Sequence, residues 1–355
     1  MGGSHKQWAD SLAAFSSHHF ITFSLQGRHW KWRMHGAAIT LGQQILKAEI
    51  EPDLFLLTDM IDASLFKSIV CQKYPNTPIA IYFHENQLTY PWSTTDKDIT
   101  LQRDNHYSFI NYSSALVADK VFFNSVFHKE EFINSLPSFL KQFPDHSNLD
   151  TVHSIAGKSS VLYVGLNVDE VIKRNPNVKK TKTILWNHRW EYDKNPEQFF
   201  ETLIQLKEEN IPFNLIIAGE SSSKYPAIFD RMASKLQSNL IHLGFADSAE
   251  KYKELLMQSD ILPVTSIQEF FGISILEAIA YGVFPLLPNR LVYPEHIPDD
   301  AKINHIYNDY NDLYSKLKIL LLSDTLSFDN NWVKKYSWHK MATIYDEALS
   351  KVRRT

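Results

Sequence analysis

Short runs that are apolar at nearly every position alternate along this chain with longer stretches whose apolar residues recur at helical spacing. In the first half the runs are Ile21–Leu25, Asp53–Asp59, Ile79–Glu85, Lys120–Ser125 and Ser160–Gly165. In the second half they are Thr183–Asn187, Phe213–Glu220, Leu240–Phe245, Ile261–Ser266 and Phe284–Leu287. Segments such as IAIYF at 79–83 and FNLIIAG at 213–219 do not alternate with polar residues, the pattern of strands covered on both faces. Such strands belong to parallel sheets wrapped by helices, and stretches such as Gly36–Lys47 and Val126–Lys141 supply the helical spacing between them. The pattern predicts an α/β protein with two doubly wound parallel sheets.

The halves meet at 167–182, a polar stretch with Pro176, Lys179, Lys180 and Lys182 that reads as a linker. The expected layout is an N-terminal domain over 1–166, a C-terminal domain over 183–325, and a closing segment over 326–355. A helix near Trp338–Val352 in that segment is expected to pack back toward the first domain. Ligands of doubly wound sheets bind beyond the C-terminal ends of the strands, so function is expected in the loops that follow them.

The chain's 355 residues fit two domains, each large enough to bury its own core. A formal net charge of -4 gives no general basic field, so an anionic partner needs a local patch. Cys71 is the only cysteine, which excludes an internal disulfide framework and a cysteine-built zinc site. No run approaches the ~18 apolar residues of a membrane span, and the first twenty residues lack a leader pattern. The expectation is a cytoplasmic protein without a membrane partner or an obligate protein partner.

Two loops carry candidate chemistry. The segment TSIQEFFGISILE at 265–277 follows a predicted strand and enters a helix. Gly272 stands at the start of that helix, where free N–H groups and the helix dipole favour an anion. Glu269 and Glu277 flank it, and a carboxylate can bridge two vicinal hydroxyls of a sugar or ribose. The plain alternative is a pair of solvated glutamates. The segment WNHRWEYDKNPE at 186–197 follows the first strand of the second half and precedes a helix with Asn195 as cap and Pro196 at its first position. Arg189 and Lys194 in that loop offer a fork and a point charge to phosphate oxygens, enough to neutralise a diphosphate without a metal. His84, just past a strand, is placed to orient a hydroxyl or carry a proton; a histidine satisfied in the core is the alternative. Asp96-Lys97-Asp98 has the form of a metal-binding Asp-x-Asp, yet it lies in a polar loop with no strand feeding it. With no paired histidines either, no metal site is expected.

These residues resemble a known family. Glu269 and Glu277 with seven residues between them are similar to the Glu-x7-Glu signature of retaining glycosyltransferase family 4. A closer resemblance, to the queuosine-tRNA mannosyltransferase group, is carried by GGSHKQ at 2–7, HWKWR at 29–33, YFHENQLTYP at 82–91, FNSVF at 123–127 and PDH at 144–146. It continues through HRWEYDKNPEQFF at 188–200, EFFG at 269–272 and LVYPE at 291–295. Phe270, where the wider family commonly has Gly, and FPLLPNRLVYPE after Gly282 both agree with the narrower group. The resemblance implies a GT-B fold, two Rossmann-like domains facing a cleft, and transfer of mannose from GDP-mannose to queuosine in a tRNA anticodon loop. It implies that Arg189 and Lys194 bind the donor diphosphate, that Glu277 binds the ribose, and that Glu269 holds the transferred sugar beside the Phe271–Gly272 backbone. His84 would act beside the reacting sugar, and Gly3, in a first βα loop, would approach the diphosphate. Front-side attack, with the leaving phosphate taking the acceptor's proton, needs no protein nucleophile and no metal cofactor.

For the acceptor, Arg28–His35 interleaves cations with two tryptophans, read as lying in the loop after the second strand. Stacking surfaces beside cations suit unstacked RNA bases. Trp30, Trp32 and Arg33 are therefore acceptor candidates, joined by His5 in the GGSHKQ block and by Glu85 and Asn86, which follow His84 in sequence. Lys179, Lys180, Lys182, Arg353 and Arg354 could add phosphate contacts. Two other readings remain open: a transferase for a lipid or polysaccharide, and a non-catalytic RNA- or sugar-nucleotide-binding module. The resemblance also makes GGSHKQ the loop after a first strand of which only Met1 precedes it, so that strand is expected to be missing from residues 1–355.

Overall fold

A computed structural model describes residues 3–93, 98, 104–168, 171–172, 181–221 and 225–352. The chain divides into two compact units, Met1–Asn167 with Trp338–Thr355, and Val168–Ser337. Each is a parallel sheet covered by helices.

The first unit holds strands β1 (Phe55–Thr58), β2 (Ile79–Phe83), β3 (Lys120–Phe123) and β4 (Ser159–Val161), paired in that order and all parallel. Ile81, Phe83, Val121 and Phe123 pack with Phe132 and Leu136 of the helix Val126–Leu140. Ser125 caps that helix by accepting the His128 N–H at 3.0 Å. The closing helix Trp338–Ser350 belongs to this unit. Its Tyr345 hydroxyl accepts from Trp8 Nε1 at 3.0 Å and donates to the Tyr163 carbonyl, and Asp346 accepts from Ser16 and Ser17.

Three expectations need correction here. Ile21–Leu25 is not a strand. Its alternation does sort its faces, since Phe23 and Leu25 pack on the cluster around Phe55 and Phe66. Among the described residues no strand pairs with it, and it lines a cavity of about 1100 Å³ together with Phe55 and Leu57. Gly3 does not sit in a βα loop: it opens the helix Gly3–Phe15 at φ +56°, exposed. Trp30, Trp32 and Arg33 lie in the first turn of the helix Trp30–Lys47, which His29 in the left-handed region introduces, and not in a loop.

In the second unit, β5 (Lys182–Trp186), β6 (Phe213–Ile217), β7 (Leu240–Leu243), β8 (Ile261–Pro263), β9 (Phe284–Pro288) and β10 (Ile306–Tyr307) form one parallel sheet in the order β10-β9-β8-β5-β6-β7. The chain starts centrally at β5, runs outward to β7, then crosses to β8 on the other side. The topological switch point therefore lies between β5 and β8, where ligands of such sheets bind. Gly219 after β6 is fixed by close approach, since a Cβ there would stand 1.7 Å from the His188 carbonyl oxygen. Residues 326–337, expected to go with the closing segment, belong to this unit instead. Asn330 Nδ2 donates to the carbonyls of Ile172 and Ile279, and Tyr336 is buried beside Phe271. Lys182 is likewise no surface cation: it is buried at the start of β5, and its ammonium caps the helix Tyr310–Leu322 through the Leu321 and Ser323 carbonyls. Lys179, Lys180, Arg353, Arg354 and most of the expected linker lie outside the described residues. No described helix is long and apolar enough to cross a membrane.

Candidate active site

The loops after β5 and β8 meet at the switch point of the second sheet and are stitched to each other. The Asp193 carbonyl accepts from the Ile267 and Gln268 N–H groups at 2.8 and 3.3 Å. Thr265 Oγ1 donates to the carbonyls of Lys194 and Asn195 at 2.9 and 3.0 Å. Arg290 clamps the second loop through the Thr265 and Ser266 carbonyls. In this frame the Lys194 ammonium contacts Gln268 O at 3.0 Å, Asp193 Oδ2 at 3.1 Å and Glu269 Oε2 at 3.3 Å. Burial alone would push the Glu269 carboxyl up, but Lys194 and the Phe271 N–H hold it below the usual carboxylate range. Burial works against the Lys194 charge too, and Glu269 with Asp193 outweighs it, so the lysine is raised. Both groups are thus ionised, Lys194 buried and Glu269 partly open to solvent.

Gly272 caps the helix Ile273–Ala280 at φ +82°, a conformation that resists a side chain, and an added Cβ would crowd Ile275 and Glu269. Glu277, half-buried, is the only charged residue of that helix. Its charge reaches the Tyr252 phenol, which burial first and Glu277 second push up. Tyr252 accepts from Asn187 Nδ2, which also donates to the Ser274 carbonyl at 2.8 Å. Arg189 is exposed and contacts Glu191 at 3.1 Å.

Sequence reasoning missed the supports of this loop. His296 is fully buried, and because a carbonyl only accepts, its Nε2–H donates to Phe271 O at 2.6 Å. Its Nδ1 then accepts from the Tyr336 hydroxyl at 3.1 Å. A signal existed in His296 standing one residue past the LVYPE block, but its partner is 25 positions upstream. Burial holds His296 to about 4, and burial with the Lys194 charge holds His188 to about 3. Unfolded histidines take a proton near pH 6.5 while these do not, so their contribution is full above that pH and is lost as pH falls toward 4. We expect the unfolding free energy to drop by about 2 kcal/mol per buried histidine between pH 6.5 and 5. Denaturant titrations at pH 7 and pH 5 check this, and equal midpoints would contradict it.

In the first unit, two side chains at strand ends converge on His84. Asp59 Oδ1, after β1, accepts the His84 N–H at 2.9 Å and lies 3.4 Å from Nδ1. Asn124, after β3, donates to the His84 carbonyl at 2.8 Å and contacts His128 Nδ1 at 2.7 Å. The His5 ring stacks on His84 at 4.1 Å, and Trp8 stands edge-on at 4.7 Å. Glu85 accepts from Gln87. Asn86 is buried, and its side chain is taken up by its own turn through Leu88 N and Thr89 N. Of the acceptor candidates, Trp30 packs against Tyr107 and Trp92, whereas Trp32 is 71% exposed with its indole over Gly36. Arg33 turns inward, with Nε buried against the first unit's cavity. Asp96 and Lys97 lie outside the described residues; Asp98 binds Lys31 and Tyr107.

Residues 1–166 match the family model for the tRNA-queuosine alpha-mannosyltransferase N-terminal domain, and residues 167–336 match that for glycosyl transferases group 1. A tRNA-queuosine alpha-mannosyltransferase of Drosophila melanogaster is 35% identical over 330 residues, covering 89% of this chain and 83% of the relative. The chain belongs to the tRNA-queuosine alpha-mannosyltransferase family. Two solved structures bear on the fold. A glycosyltransferase from Rickettsia africae aligns with TM-score 0.60 at 17% identity, covering 99% of this chain and 88% of that one. An alpha,alpha-trehalose-phosphate synthase from Burkholderia xenovorans aligns with TM-score 0.60 at 11% identity, covering 90% and 76%. Two parallel-sheet α/β units and these neighbours give the chain the GT-B fold that the resemblance implied, and the group 1 domain makes it a glycosyltransferase. Lys194 and Glu269, both named from the sequence, meet at 3.3 Å. Arg189 stands on the loop after β5, and Glu277 on the helix that follows the loop after β8.

Proposed function

We propose that this chain transfers mannose, with retention, from GDP-mannose to the queuosine nucleoside of a tRNA in the cytoplasm. The observation that carries this reading is the buried Lys194–Glu269 pair at the switch point of the second sheet, in a chain of this family. Lys194 and Arg189 neutralise the departing diphosphate, so the reaction needs no metal; Glu269, ionised and fixed by the Phe271 N–H, holds hydroxyls of the transferred sugar. Glu277, opening from the helix that Gly272 starts, takes the ribose hydroxyls. The protein's part is positioning and charge stabilisation, and the leaving phosphate accepts the acceptor's proton.

The acceptor is recognised by the first unit. The exposed Trp32 indole offers a stacking face, with exposed Arg28 nearby for backbone phosphate, and the net charge of -4 makes this contact local. Trp32→Ala is expected to weaken tRNA binding by about 1–3 kcal/mol without changing the salt slope, because stacking releases no counterions. Trp30→Ala should lower stability instead, since that ring packs on Tyr107. Filter binding over a salt series measures both, and wild-type affinity in the Trp32 variant would remove the patch from the acceptor site.

A further inference from the structure

The function proposed above gives no role to Asp59, a buried carboxylate of the first unit. Asp59 is 1% exposed and sits directly beyond β1. Burial pushes its carboxyl up, yet the His84 contact and the nearby His5 hold it below its ordinary value, so it is an anion in the interior. Its nearest ionisable companions are these two imidazoles. His5 is itself kept neutral near 4 by burial and by His84. A buried anion whose closest partners are histidines is costly unless it does something for them.

The geometry points to Asp59 as a positioning residue that fixes the tautomer and the orientation of His84. Oδ1 receives the His84 backbone N–H and faces Nδ1 of the same residue. A lone pair on Nδ1 would face the carboxylate and be repelled, so Nδ1 carries the proton. Nε2 is then an acceptor. Both ring nitrogens are buried and neither makes a hydrogen bond among the described residues; Nδ1 has the Asp59 carboxylate at 3.4 Å, whereas Nε2 faces no such group. His5 stacked on one face and Trp8 and Tyr82 set edge-on prevent the ring from turning to find one. Asn124 holds the His84 carbonyl from the other side, so the residue is gripped by both neighbouring strand ends. An oriented, unpaired acceptor of this kind receives a substrate hydroxyl, and Asp59 ensures that it is an acceptor and not a donor. This role rests on the transferase reading for its substrate, but not for the tautomer.

Asp59→Asn separates the roles. Its Oδ1 can keep the backbone bond and its place near Nδ1, but the neutral amide no longer holds the proton on Nδ1, so His84 shifts toward the Nε2–H tautomer that a free imidazole prefers. We expect kcat for mannosyl transfer to fall about 100-fold, with KM for GDP-mannose within about twofold of wild type. Asp59→Glu should recover part of the rate. Long-range proton–nitrogen spectra of the His84 ring should show Nδ1–H in wild type and Nε2–H in the Asn variant. The groups able to move that signal are Asp59, His5, Tyr82 and His128, so the spectra are taken at pH 7.5, above the histidine range. Wild-type His84 already in the Nε2–H form overturns the proposal, even if the variant does not fold. So does a folded Asn variant with wild-type kcat. A wild-type enzyme that fails to glycosylate queuosine-bearing tRNA sinks the transferase reading alone, since the tautomer is read without substrate.

Discussion

Lys194→Met is expected to lose mannosyl transfer by about 10³-fold or more and to lower stability by about 3–5 kcal/mol. Methionine keeps the length and the apolar stem but removes the charge between Asp193 and Glu269, whose contacts with it are 3.1 and 3.3 Å. Asp193 is fully buried and Glu269 mostly so, hence two carboxylates would be left facing each other without compensation. One of them would be driven to protonate, and the loop after β8 would lose its tie to the loop after β5. Two effects therefore combine: the donor's diphosphate loses a cation, and the carboxylate meant for the sugar loses its position. Steady-state rates with a denaturant titration of the same preparation separate these. A variant that keeps both wild-type rate and wild-type stability would show that the pair is incidental.

Glu277→Ala is expected to leave the fold intact and weaken GDP-mannose binding at least 100-fold. The helix Ile273–Ala280 is held by Ile275, Leu276 and Ile279 in the core, and alanine is the better helix former, so stability should change little. The loss comes from charge-assisted hydrogen bonds to ribose hydroxyls, about 2–3 kcal/mol when the group is deprived of water. Tyr252, relieved of the Glu277 charge, should also titrate lower. Calorimetry with GDP-mannose reads the affinity directly, and an unchanged constant would remove the ribose from Glu277.

The strands of both sheets were legible because parallel strands buried on two faces leave unbroken apolar runs, as in IAIYF and KTILW. Ile21–Leu25 alternates, as a half-buried strand would, yet forms no strand, and none among the described residues pairs with it. β10 escaped notice because two residues, Ile306 and Tyr307, are too short to make a pattern. The Arg28–His35 stretch reads as a loop only while its aromatic and charged composition is weighed and its register ignored. Met34, Ala37, Ala38 and Ile45 mark the buried side of a helix beginning at Trp30.

The candidate site was legible where chemistry follows a strand in sequence. Arg189, Lys194 and Glu269 stand on the two loops that the sheet order brings to one switch point, and Glu277 on the helix that leaves the second. What could not be read were residues whose meaning depends on a distant partner. His296 matters through the Phe271 carbonyl, Asn187 through Ser274 and Tyr252, and Asp59 through a ring 25 positions later. Lys182 shows the converse, a cation that composition assigns to a basic linker and that folding buries under the end of a helix.

The transfer itself is the most direct test. The protein is incubated with tRNA bearing queuosine and, in separate reactions, with GDP-mannose, UDP-glucose and UDP-galactose, and the digested nucleosides are weighed by mass spectrometry. The predicted result is a hexose added to queuosine with GDP-mannose and not with the uridine donors, released as mannose on hydrolysis. Queuosine left unmodified by every donor, in a preparation that binds GDP-mannose and tRNA, would contradict the proposed reaction.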